Sequence, residues 1–186
     1  MPIFKSSREK RLWVLAGLVM ATIFSTLFVG QPLANLVSDQ DIQAAIFVLV
    51  MILIGIAILM HALAHKSGKL ELIIIIGLAA VYILLFLRLG IPERSHLLEY
   101  SILAIFIHKA LIERYIKTRN NLKPALTAFL LAASVGVIDE CLQLFLPNRV
   151  FDPIDILFNT LTILMAIGVH VLLNLIRRHL KRTKSK

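Results

Sequence analysis

Nine side chains suited to acid–base or anion chemistry fall in two short stretches of an otherwise apolar chain. The first stretch carries His96, Glu99 and Tyr100; the second carries Asp139, Glu140, Gln143, Arg149, Asp155 and Asn159. An imidazole beside paired carboxylates is the equipment of general acid–base catalysis. A guanidinium in the same set suits a planar phosphate or carboxylate. If the set is catalytic, Asp139 or Glu140 is the general base and His96 the acid or its partner. Glu99, Tyr100, Gln143, Arg149, Asp155 and Asn159 then bind substrate. Charged groups inside a hydrocarbon layer cost at least a few kcal/mol, so they usually face a bundle interior and often mark a function.

Helical spacing makes the two stretches converge. His96, Glu99 and Tyr100 stand at i, i+3 and i+4, one above another on one face. Gly136, Asp139, Glu140 and Gln143 follow i, i+3, i+4, i+7, and Gly136 lets a neighbouring helix come close. Pro147-Asn148 marks a turn. Asp152-Pro153 reads as an N-cap followed by proline at the first helical position. Asp155 and Asn159 continue that helix on one face. Counted back from Pro147, Asp139 and Glu140 lie about 10 Å below the helix end. Adjacent carboxylates at that depth cannot both be cheaply ionised, and a structural ion pair with Arg149, Arg94 or His96 is the plain alternative to a site. Asp152 needs no explanation beyond its cap.

The elements that position these residues are membrane helices. The chain has 186 residues and is 59% hydrophobic, with a mean hydropathy of +0.86, well above the roughly 45–50% apolar content of soluble domains. Six apolar stretches occur, at 12–29, 42–64, 72–89, 95–112, 124–146 and 154–176. Each is about long enough to cross a hydrocarbon core ~30 Å thick. Backbone in lipid must satisfy its own hydrogen bonds, so the expected fold is all-α, a six-span bundle forming a single integral-membrane domain over 1–186. The first stretch is too long for a signal-peptide core and reads as a retained helix. Cys141, the only cysteine, excludes an internal disulfide and reads as a small packing residue.

The net charge of +9 is topogenic. With six spans, 17 of the 20 Lys and Arg residues fall on the side of both termini, which makes that side cytoplasmic. Only Arg88, Arg94 and Arg149 lie opposite, beside eight of the eleven acids. Acids contribute little to orientation, so their clustering points to a site on the outer face. The basic excess calls for anionic membrane lipids as partners and not for nucleic acid.

The run Asp139-Glu140-x-x-Gln143, Pro147-x-Arg149, Asp155-x-x-x-Asn159 resembles the signature of VanZ-like membrane proteins. The element His96-x-x-x-Tyr100-x-x-Leu103 looks like that family's other conserved segment, so the resemblance spans about 93–169. It implies a bacterial, multi-pass protein of the cytoplasmic membrane, in a family whose namesake is associated with low-level glycopeptide (teicoplanin) resistance. It carries over His96, Tyr100, Asp139, Glu140, Gln143, Arg149, Asp155 and Asn159. Glu93 stands where many relatives have a basic residue, and Thr162 and Ala166 stand where many have glycine.

Three functional classes follow. An outward pocket reads as binding or modifying a lipid headgroup, a cell-wall precursor or another lipid-linked or anionic small molecule. The same residues also fit a non-catalytic membrane scaffold, or a proton- or ion-coupled transporter. No broken midplane helix or inverted repeat supports the transporter, and His61 and His170 read as packing histidines. No cofactor is expected. His96, Glu99, Asp139 and Glu140 form an N/O set suited to Zn or Mn, but no motif such as His-Glu-x-x-His occurs, so no metal is assigned.

Overall fold

The protein is helical throughout a computed structural model that describes residues 4–37, 69–88, 91–116, 122–146 and 149–184, with isolated positions between 39 and 60. The described residues form five helices and no strand: α1 (Ser7–Val37), α2 (Lys69–Arg88), α3 (Ile91–Arg114), α4 (Leu122–Gln143) and α5 (Pro153–Lys184). Four segments are long and apolar enough to cross a membrane, Ser7–Phe28, Arg94–Arg114, Leu122–Gln143 and Pro153–Ile176. The apolar part of α2 is shorter, Glu71–Leu85. Most of the expected second span, 42–64, lies outside the described residues, as do His61 and the Pro147-Asn148 turn.

The chain divides into two compact units. One comprises Met1–Phe28 with Pro92–Leu172, the other Val29–Ile91 with Leu173–Lys186. All the sequence-derived site residues belong to the first.

Within the first unit the usual sorting of side chains is turned around. The face that α4 buries runs Pro124, Ala128, Ala132, Gly136, Asp139, Glu140 and Gln143. Its exposed positions include Leu126, Leu130, Leu131, Ile138 and Leu142. On α5, Asn159, Thr162, Ile163, Ala166 and Ile167 are buried at i, i+3, i+4, i+7, i+8, while Leu157, Leu161 and Leu164 are exposed. Small and polar residues inside, with leucines outside, is how helices pack in lipid, where leucine gains nothing by leaving the acyl chains. The central element is α3, half of whose apolar window is buried against 11–28% for the other three. Tyr100, Leu103, Ala104, Ile107 and Leu111 form its contribution to the core.

Local signals start and stop the helices. Ser6 Oγ accepts the Glu9 backbone N–H at 3.0 Å and opens α1. Asp152 Oδ1 accepts the Ile154 N–H at 2.8 Å and opens α5 at Pro153, as the cap pattern requires. The end of α4 differs from expectation. The helix stops at Gln143, and Leu144 and Phe145 turn out of it. The physical cause is in the covalent chain: a proline at 147 has no N–H for the carbonyl four residues back, and its ring would crowd that carbonyl. Asp139 and Glu140 therefore lie about 5 Å from the helix end and not 10 Å.

Candidate functional site

Three helices of the first unit meet at Gly136. A methyl group there would stand 3.4 Å from Asn159 Cβ on α5 and 3.4 Å from Tyr100 Cε1 on α3. A single added carbon would already touch both neighbours, so the crossing is close here, and it sets the polar residues one turn further along α4 near both helices. Thr162 and Ala166, the replacements for the family's glycines, are both buried and small enough for the same crossing.

Asp139 and Glu140 are 2% and 0% exposed. Tyr100, itself fully buried, donates its hydroxyl to Asp139 Oδ2 at 2.9 Å. Gln143 Nε2 donates to Glu140 Oε1 at 2.9 Å. The His96 ring lies parallel to that of Tyr100, with centroids 5.8 Å apart. One nitrogen or oxygen from each of His96, Asp139 and Glu140 lies within 4.8 Å of the other two. His96 and Arg149 also act on Asp139 as positive partners, and Asp155 acts on it as a like charge. Glu99 is within electrostatic reach of Asp139 as well. Asp155 and the Asp152 backbone amide both act on Glu140.

The expected ion pair is not what holds these acids. Among the described residues neither Asp139 nor Glu140 has a cation within 4 Å. Their hydrogen bonds come from neutral donors. Arg149 reaches across to α1 instead, where its Nη2 donates to the Thr26 carbonyl at 3.0 Å. Several polar atoms are left buried without a hydrogen bond: His96 Nδ1, Asp139 Oδ1, Glu140 Oε2, Arg149 Nε, and both amide atoms of Asn159. Each such atom costs roughly 1–3 kcal/mol unless something meets it.

The nine predicted residues all lie in this unit, and most of them meet. His96, Tyr100, Asp139, Glu140, Gln143 and Asn159 occupy the helix crossing, with Arg149, Glu99 and Asp155 around it. The Glu93 side chain lies outside the described residues. Cys141 corrects the sequence reading: it is exposed, because its position turns it away from the Gly136–Asp139–Glu140 face. Leu97 is buried as well, while Leu98 and Ile102 on the opposite side of α3 are exposed.

Sequence reasoning missed Thr26, which contributes only a carbonyl and so has no side-chain signal. It also missed Ser101, whose buried Oγ has no partner. Two further polar contacts lie toward the other end of α3. His108 and His170 place their Nδ1 atoms 3.1 Å apart, one donating and the other accepting. Glu9, fully buried, pairs with Arg114, with Nε 3.1 Å from Oε1. The Ser6-x-x-Glu9 spacing of a capping box marks the start of α1 but gives no sign of Arg114.

A helical membrane protein with a buried polar crossing is the class these features define. The sequence pattern of the VanZ/LLP1 family matches residues 5–174, and the chain belongs to that family. The match takes in α1 and α2 as well as the 93–169 stretch that carried the resemblance. No curated protein and no solved structure matches the chain.

Proposed function

We propose that this protein is a multi-pass component of the bacterial cytoplasmic membrane that binds or modifies an anionic group at the outer surface, a lipid headgroup or a lipid-linked cell-wall precursor. The observation that carries this reading is the set of buried polar atoms without partners, contributed by three helices around Gly136. Among them, Arg149 Nε and Asn159 Nδ2 are donors that an anionic group can meet. Arg149 supplies the clamp for phosphate or carboxylate, and its Nε is still unused. Asn159, Gln143, Tyr100, Glu99 and Asp155 orient the group. Where the ligand is modified, Glu140 or Asp139 takes the proton and His96 returns it.

The basic residues support six spans with both termini in the cytoplasm, which puts the crossing on the outer side. Family membership supports a role in the cell envelope and in tolerance of glycopeptides such as teicoplanin. Two experiments test the reading. The protein is extracted in native lipid discs and its co-purifying lipids are identified by mass spectrometry. The expected result is an enriched anionic headgroup species that Arg149→Gln and Glu140→Gln lose; an unselective lipid profile unchanged by both variants overturns the reading. For topology, Lys186→Cys in a Cys141→Ser background is exposed to an impermeant thiol reagent. Labelling in intact cells, before lysis, refutes a cytoplasmic C-terminus.

A second reading has its own support. Tyr100 and Asp139 bond to each other inside the packed core, as a scaffold's polar layer would. Under that reading Asp139→Ala and Asn159→Ala lower the melting temperature as much as they lower function.

A further inference from the structure

We propose that His96, Asp139 and Glu140 form a site for one divalent transition-metal cation, Zn2+ or Mn2+. The inference does not depend on headgroup binding, because the cation is held by the chain's own side chains. One donor atom of each residue already lies within 4.8 Å of the other two. Metal–ligand bonds of about 2.1 Å set donors about 3–4 Å apart, so a side-chain movement of about 1 Å closes the set. One imidazole and two carboxylates are a mixed N/O set that suits either ion.

Two independent features point to a cation. The first is charge. Asp139 and Glu140 are adjacent, almost wholly buried and without a cation within 4 Å among the described residues; His96 and Arg149 reach Asp139 only from beyond that distance. Arg149, the nearest guanidinium in the sequence, spends its Nη2 on the Thr26 carbonyl. Buried carboxyls this close either keep a proton or take a strong opposite charge, and a bound ion is the largest local charge a site can gain.

The second feature is how each ligand is presented. Asp139 gives Oδ2 to the Tyr100 hydroxyl and keeps Oδ1 unbonded; Glu140 gives Oε1 to Gln143 and keeps Oε2 unbonded. His96 is stacked along Tyr100 with its buried Nδ1 unbonded. Each carboxylate thus has one oxygen fixed by an outer hydrogen bond and one left over. That is how outer partners orient metal ligands. Glu99, also considered from sequence, is not in the set of three.

Untagged full-length protein in detergent is stripped with chelator, then equilibrated with Zn2+ alone or Mn2+ alone. Ion content is read by elemental analysis after gel filtration, and stability by thermal melting. The expected result is about one ion per chain for one of the two metals, with a melting temperature that rises and saturates. His96→Gln, Asp139→Asn and Glu140→Gln each weaken uptake by more than about 100-fold, and Tyr100→Phe, which removes only an outer hydrogen bond, by about tenfold. Chelated Asp139→Asn and Glu140→Gln melt no lower than chelated wild type, because each removes one of the clustered charges. Wild type that holds neither ion and does not respond in melting overturns the proposal whatever the variants do, as does full occupancy in Asp139→Asn and Glu140→Gln. Absence of the ion with selective lipid retained refutes this inference and leaves the headgroup reading standing; ion uptake without selective lipid does the reverse.

Discussion

The two ends of α3 treat buried acids in opposite ways. Near its C-terminus, Glu9 faces Arg114, with Nε 3.1 Å from Oε1 in an ion pair whose angle falls short of a hydrogen bond. Its other oxygen accepts the Lys5 backbone N–H at 2.7 Å. Glu113 beside it accepts from Ser6 Oγ at 3.1 Å, and Lys5 Nζ donates to the Arg114 carbonyl at 3.0 Å. Near the N-terminus of α3, Asp139 and Glu140 take neutral donors and keep an oxygen each unbonded. One cluster closes on itself with opposite charges. The other is assembled with as much care but is not neutralised from within. The first has the form of a staple between α1 and α3, and the second is where the ligand and cation are proposed to bind.

Substitutions can break or sharpen that contrast. The largest effect is expected at the crossing itself. Gly136→Val places branched carbons against Asn159 and Tyr100, already 3.4 Å from a single added carbon. It should cost about 3 kcal/mol and abolish ligand retention, read by denaturant unfolding in detergent and by lipid mass spectrometry. Next is the staple. Arg114→Met leaves the buried Glu9 without its cation and should lower stability by about 2 kcal/mol, less than a fully buried pair because Arg114 is partly exposed. Selective lipid retention should survive below the lowered melting temperature; its loss there would erase the distinction between the two ends.

Asp139→Asn and Glu140→Gln should act the other way. Retention of the headgroup species should fall about tenfold, ~1.4 kcal/mol, with no loss of thermal stability. A drop in melting temperature as large as that of Arg114→Met would make the upper cluster a second staple. Tyr100→Phe removes one buried hydrogen bond and should cost about 1 kcal/mol. Cys141→Ser, on the exposed side of α4, should change stability by less than about 0.5 kcal/mol and leave lipid retention intact.

The sequence by itself determined whatever depends on composition and on local period. Apolar length is a property of each segment; it marked six stretches, and four of them are helices able to cross a membrane among the described residues. The i, i+3, i+4, i+7 spacing from Gly136 to Gln143 put those four residues on one buried face. Asp152-Pro153 announced the start of α5 at Pro153. Tertiary structure alone decided who meets whom. Charge arithmetic suggested Arg149 for the paired acids, yet Arg149 bonds to a carbonyl 123 residues away, and Tyr100 and Gln143 take the acids. The Glu9–Arg114 pair joins positions more than a hundred residues apart. Helical periodicity states which way a side chain faces along its own axis. Which neighbour lies there depends on how the helices cross, and at Gly136 Asn159 and Tyr100 stand within van der Waals reach of a single added carbon.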